Sequence, residues 1–291
     1  MKKSFLIIFL GVLLGSWGYV GHKTLQGMAV DIIQRIGEDE EIISFFRTNK
    51  DYLVKNSIRP DERRREDKTE APKHFLDMDA EVFGEDYLQA IPHNKQEAIE
   101  KYGMAVFEKE GMVQWEVPRV YRKLVDAFRQ NNKDSILFYA ADLGHYVSDA
   151  HVPLHATKNY DGQLTGQKGA HALWESLVVE NLKISESIDW MTLSKEDMII
   201  ENVDEEIWKI LEESNGMVLD LLEKEKEVSK GFTEETKFYP VERNGRTYQY
   251  YTKEFINAYG KEVGGTVEKR MKESAISVAR FWWTAYKESE K

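Results

Sequence analysis

Between Asp142 and Glu175 the chain reads DLGHYVSDAHVPLHATKNYDGQLTGQKGAHALWE, and four of its seven histidines (His145, His151, His155 and His171) fall inside that stretch. His145 and Asp149 stand four residues apart in a segment of helical periodicity, so their side chains leave one face of one helix. Val152-Pro153 ends that helix, because proline has no amide proton for the ladder and restricts the residue before it. His155 lies just past the stop. After a glycine-rich loop, His171 and Glu175 repeat the four-residue spacing on a second helix. Taken singly, each pair is an ordinary surface pairing of a histidine with an acid. Two such pairs and a third imidazole in one short stretch form a metal-site pattern. The chain has no cysteine, so the ligand set is imidazole and carboxylate, which suits zinc. Neither a Ser/His/Asp triad nor a glycine-rich phosphate loop competes with it.

Other elements must bring these groups together. Residues 21–36 read as a helix with Leu25, Met28, Ala29, Ile32, Ile33 and Ile36 on one stripe, Gly37 as its stop and His22 at its start. Pro60-Asp61-Glu62-Arg63-Arg64-Arg65 reads as a charged connector, followed by Pro72 and then His74-Phe75-Leu76-Asp77. On their own His22, Asp61 and His74 carry no signal: each is as well explained by a polar helix start, an arginine pair or a core histidine. Further helices are expected at about 95–110, 113–131, 134–151, 170–183, 203–226 and 267–288. The last carries a stripe of Ala275, Val278, Ala279, Trp282 and Tyr286 that belongs to the core. Asn244-Gly245 marks a hairpin. There is no repeat, linker or break in composition, so the expected fold is all-α, a single multi-helix domain.

Lys2 and Lys3, the apolar run Phe5 to Leu14, and Gly15-Ser16 read as a secretory signal peptide over residues 1–16, leaving 17–291 as the mature domain. The run is too short for a permanent transmembrane anchor, and the expected address is secreted or periplasmic. Without cysteine an exported chain has no disulfides, and bound metal can supply the missing stabilisation. Loss of Lys2 and Lys3 takes the net charge from −11 to −13. So acidic a surface does not draw in nucleic acid or anionic membrane by long-range attraction. With 291 residues and 42% hydrophobic content the chain can bury a sizeable core.

Taken in order, WGYVGH from Trp17, PDERR, HFLD, HYVSDAHVPLH and HALWE make the chain resemble the zinc-dependent phospholipase C and S1/P1 nuclease superfamily over roughly residues 17–285. The resemblance implies three zinc ions in a cleft of a helical bundle. Asp61, His74, His145 and Asp149 would hold the first, and His155, His171 and Glu175 the second. Trp17, through its α-amino nitrogen and carbonyl oxygen, would hold the third with His22 and the shared Asp149. Imidazole and carboxylate chemistry supports every assignment except Trp17, which only signal cleavage can create. The implied reaction is phosphate-ester hydrolysis by a water that metal charge acidifies toward a pKa of about 7. Asp61 could orient that water, and Asp77 matches an acid near the nuclease site; these two are the catalytic candidates.

Substrate class stays divided. Glu175 as the last ligand and the short loop from His155 to His171 favour the phospholipase branch, whereas the spacing of Trp17 to His22 favours the nuclease branch. Val20 stands where choline-recognising phospholipases have an acid. Arg63, Arg64 and Arg65 could meet a phosphate or form a solvated turn, and Phe75, Tyr146 and Tyr160 could stack a base or line an acyl path. The expectation is a secreted phosphodiesterase, phospholipase C-like, with an S1/P1-type nuclease acting on single-stranded DNA or RNA as the alternative. A non-enzymatic exported metal-binding domain is the second alternative. Phospholipid or single-stranded nucleic acid is the expected partner, and no obligate protein partner is evident.

Overall fold

The computed structural model describes residues 18–182, 194, 196–243 and 246–291, and 72% of it is helical. In chain order the helices are α1 (Gly18–Ile36), α2 (Glu40–Thr48), α3 (Lys50–Asn56), α4 (Arg59–Arg63), α5 (Tyr87–Ala90), α6 (Lys95–Tyr102), α7 (Met104–Glu110), α8 (Val113–Arg129) and α9 (Lys133–Ala150). Then α10 (Ala170–Ala172), a π-helical turn (Leu173–Val178) and α11 (Val179–Asn181) run on from one another. After them come α12 (Val203–Gly216), α13 (Val218–Ser229), α14 (Glu234–Lys237), strands β1 (Phe238–Arg243) and β2 (Arg246–Tyr251), and α15 (Lys253–Ser289). The two strands pair antiparallel, with Phe238 opposite Tyr251, and are the only sheet among the described residues. The fold is all-α, as the periodicity predicts.

α15 is the axis. Its Val263, Val267, Met271, Ala275, Val278, Ala279 and Trp282 are fully buried or nearly so. It packs against α1, α8, α9 and the π-helical turn. Trp282 stacks on Phe46 at 5.0 Å, and its indole N–H donates to the Ala140 carbonyl at 2.9 Å. Burial of such a ring contributes a few kcal/mol, on the order of 25 cal/mol per Å² of apolar surface. The hydrogen bond removes the cost of burying its polar edge. Trp282 therefore fixes α15 against α9, the helix that carries His145 and Asp149.

The structure departs from the sequence reading in several elements. α15 begins at Lys253, capped by Thr252, whose side chain accepts from the Phe255 amide. Gly260, Gly264 and Gly265 hid its first turns; at Gly264 a Cβ would stand 3.1 Å from Leu182, so tertiary packing outweighs helix propensity there. The expected helix at 95–110 is divided at Gly103, which has φ +84°, and 203–226 is divided at Met217. The 60–65 connector is partly the helix α4, with proline in its first turn and Asp61 buried. Strands β1 and β2 form the expected hairpin, although Asn244-Gly245 lies outside the described residues, as do Trp17 and the expected signal peptide. Among the described residues no helix is long and apolar enough to cross a membrane.

Candidate metal centre

Two clusters of ligand-type side chains lie back to back where α1, α4, α9 and the segments 71–74, 153–155 and 170–178 meet. In the first, Asp149 is fully buried and faces three imidazoles. His74 Nδ1 is 2.8 Å from its Oδ2, His145 Nε2 is 3.3 Å from the same oxygen, and His22 Nε2 is 3.3 Å from Oδ1. Asp61 Oδ1 closes the group at 3.6 Å from His74 Nδ1 and 3.9 Å from His145 Nε2. The His22 and His145 rings stack at 4.1 Å. In the second cluster, His155 Nε2 and His171 Nε2 stand 3.2 Å apart, with Glu175 Oε2 at 3.6 and 3.2 Å from them.

Local sequence explains each placement. His145 and Asp149 share one face of α9 through the four-residue repeat. Pro153 starts a short 3-10 turn that places His155 at its end. His171 and Glu175 also lie four apart, but Glu175 sits in the π-helical turn, a local widening that turns its carboxylate in line with both imidazoles. The clusters share a brace: the His74 carbonyl accepts from His155 Nδ1 at 2.7 Å. The first residue of α1, Gly18, has φ +53°, and a Cβ there would lie 2.8 Å from Ser176 Oγ. The residue after Trp17 is thus seated beside the residue after Glu175.

Proton accounting tests whether this donor set fits a cation. His155 Nδ1 faces the His74 carbonyl and His171 Nδ1 faces the Tyr160 carbonyl at 3.0 Å. A carbonyl only accepts, so each Nδ1 carries the proton and each neutral ring turns its Nε2 lone pair inward. Two lone pairs and a carboxylate oxygen within 3.6 Å of one another repel unless a proton or a cation lies between them. The same holds for His145, whose Nδ1 donates to the Ser57 carbonyl at 2.7 Å while Nε2 faces His74 Nδ1 at 3.1 Å. A nitrogen and oxygen donor set without sulfur suits a divalent ion such as zinc, so the residues fit such an ion.

The electrostatics agree. Burial works against a charged His145, yet the Asp149 and Asp61 carboxylates outweigh it and raise its pKa to about 9. Burial likewise opposes charge on His171, and Glu175 raises it to about 8. Burial lowers His22 and His74. The imidazoles hold Asp149 well below the usual carboxylate range against the opposing effect of burial. Each cluster therefore demands positive charge at its centre.

Every sequence-predicted ligand that the structure describes falls in one cluster or the other. Asp77 stands apart: it is buried, one carboxyl oxygen has no hydrogen-bond partner, and burial together with Glu110 and Asp79 pushes its pKa up to about 8. Arg64 lies 3.5 Å from Asp61 with its side chain 37% exposed, whereas Arg63 turns inward to Glu70 and Asp142. Tyr146 cannot stack a substrate, because it is 1% exposed and its hydroxyl donates to Glu70. Phe75 is half-buried. Tyr160 is 50% exposed beside His171. Sequence reasoning missed Glu70 and Asp142. Asp142 accepts from Arg59 at 2.5 Å and Arg63 at 2.9 Å, clamping α4 with Asp61 onto α9. Burial alone would raise the Glu70 carboxyl, but Lys73, Tyr146 and Arg63 hold it down to about 2.

The S1/P1 Nuclease family profile matches residues 17–239, a span that contains all nine predicted ligands. Among curated proteins none matches the chain. The family match covers well over half of the chain and ends before α15, and with it the chain belongs to the S1/P1 nuclease family, within the phospholipase C/P1 nuclease superfamily.

Proposed function

We propose that the protein is an exported, zinc-dependent phosphodiesterase of the nuclease type, cleaved before Trp17 and acting on single-stranded DNA or RNA. The family is one of phosphoric diester hydrolases, and it is zinc-dependent. The observation that carries the reading is the convergence of His155 Nε2, His171 Nε2 and Glu175 Oε2, with the outer nitrogen of both rings committed to a carbonyl. Asp61, His74, His145 and Asp149 would hold one ion, His155, His171 and Glu175 a second, and Trp17, His22 and Asp149 a third. Support for the Trp17 assignment comes from Gly18, packed against Ser176 next to Glu175. Bound zinc would supply Lewis-acid polarisation of a phosphoryl oxygen and a water acidified toward neutral pH.

The chain's own residues have distinct tasks in this reading. Asp149 accepts on both oxygens and ties the first and third positions together. Asp61 stands at the edge of that cluster, where it orients the attacking water. Arg64 offers a half-exposed guanidinium beside Asp61 to a substrate phosphate. Tyr160 presents its ring at the rim, where a base can stack. Asp77, with its pKa near 8, carries a proton at neutral pH and can donate a hydrogen bond to a base or leaving group.

A second reading, a phospholipase C-like enzyme, rests on Glu175 in place of an aspartate and on the short loop before His171. Both readings are tested side by side on zinc-loaded mature protein, with denatured DNA, RNA and phosphatidylcholine vesicles as substrates. Cleavage of the polynucleotides without diacylglycerol release is the expected result. The reverse outcome makes the enzyme a phospholipase, and no turnover of any ester at full zinc content makes it a metal-binding domain.

A further inference from the structure

In four imidazoles of the centre one nitrogen faces inward and the other outward. For three of them the outward nitrogen meets a backbone carbonyl: Ser57 for His145, His74 for His155, Tyr160 for His171. His74 is built the other way round. Its Nδ1 faces Asp149 at 2.8 Å and His145 Nε2 at 3.1 Å, so Nδ1 is the inward atom and Nε2 points away. Nε2 is buried, and no hydrogen bond reaches it among the described residues. Glu70 Oε1 lies 3.8 Å from it, four residues back across the 3-10 turn Ala71–His74.

Glu70 is itself 2% exposed and tightly held. Arg63 at 3.1 Å and the Tyr146 hydroxyl donate to Oε1, and Lys73 donates to Oε2 at 2.8 Å. Arg63 and Tyr146, both bound to Oε1, hold that oxygen on the outer side of His74, whereas Lys73 meets the far oxygen.

We propose that Glu70 is a positioning residue for the first metal: its Oε1 accepts a hydrogen bond from the Nε2–H of His74 and so fixes Nδ1 as the ligand atom. A carboxylate behind a metal-binding imidazole sets the tautomer, holds the ring plane and raises the basicity of the inward nitrogen. A short closure of the 3.8 Å gap gives an ordinary hydrogen bond. Because His74 also braces His155, the effect of Glu70 reaches the second cluster through the backbone. The inference rests on the zinc reading given above.

The test compares wild type, Glu70→Gln and Lys73→Met, each with and without zinc, in thermal unfolding and in competition with a chelator for zinc. Lys73→Met disturbs the same ion network on the oxygen that faces away from His74. Glu70→Gln should weaken zinc binding by about ten-fold or more and shrink the rise in melting temperature that zinc produces. Lys73→Met should lower the melting temperature of both forms alike and leave zinc affinity within about two-fold, as expected for a role confined to stability. If Glu70→Gln behaves like Lys73→Met, Glu70 is only structural and the proposal is wrong. Should Glu70→Gln fail to fold, nitrogen-15 spectra of the histidines in zinc-loaded wild type decide. A slowly exchanging proton on His74 Nε2 supports the proposal, and a proton on Nδ1 overturns it. Zinc failing to bind wild type at all overturns the zinc reading and this inference together, whereas tight binding unaffected by Glu70→Gln overturns this inference alone.

Discussion

Asp149 receives three imidazoles on two oxygens, and no other side chain of the centre is asked to do so much. Asp149→Asn keeps the shape but halves the acceptor capacity and removes the charge, so zinc content should fall and hydrolysis drop by at least about a hundred-fold. Metal analysis and phosphodiester turnover on the same sample check this; a variant with full zinc and wild-type rate would remove Asp149 from the site. Asp77 makes a prediction of opposite kind. Its folded pKa of about 8 lies above that of an unfolded aspartate. The folded state therefore binds the extra proton, and stability falls as pH rises from about 4 to about 8. Asp77→Asn removes that penalty while keeping a neutral hydrogen-bond donor, so its advantage in melting temperature over wild type should grow from pH 5 to pH 9. An advantage that stays flat with pH would show that Asp77 is ionised throughout. Arg64→Ala should raise KM several-fold with little change in kcat, because a half-exposed guanidinium on a phosphate contributes mostly to ground-state binding. A fall in kcat alone would place Arg64 on the reacting atoms instead.

Among the elements, α9 and the 170–178 stretch were legible from residue spacing, because a four-residue repeat is a property of the helix itself. α4 was not, since its charges read as a connector until Asp142 and Tyr146, about 80 residues away in the chain, are seen to receive Arg59 and Arg63. The start of α15 was hidden for a related reason: its glycines oppose a helix locally, and of the three only Gly264 lies close against a neighbour, Leu182. Glu70 and Asp142 escaped notice because their role lies in how helices are held relative to one another, which no spacing encodes. Asp142→Ala leaves Arg59 and Arg63 without their shared carboxylate on a largely buried face. That should cost about 3 kcal/mol of folding stability and loosen Asp61. Urea unfolding together with zinc affinity measures both effects, and an unchanged affinity would show that α4 is held by its apolar contacts alone.

Across the whole molecule, ligand-type side chains come from α1, α4, α9 and the segments around 74, 155 and 171–175, so one centre ties together elements spread over more than half of the chain. With no cysteine to cross-link them, bound zinc would act as the staple. At a free concentration a hundred times its Kd each ion adds about 2.7 kcal/mol to folding, several degrees of melting temperature for a chain of this size. The sign of the pH dependence follows from the two raised imidazoles. In the metal-free protein His145 at about 9 and His171 at about 8 lie above an unfolded histidine. Their protonation contributes stability that is complete below about pH 6.5 and is lost as pH rises through 8 and 9. Those same protons compete with zinc, so zinc binds more tightly as they leave. The gap in melting temperature between zinc-loaded and chelator-treated protein should therefore widen steadily from pH 6 to pH 9, mainly because the chelated form weakens. Calorimetry of the two forms over that range measures it, and a gap that narrows with rising pH would mean that the inward nitrogens are not where the metal competes with protons.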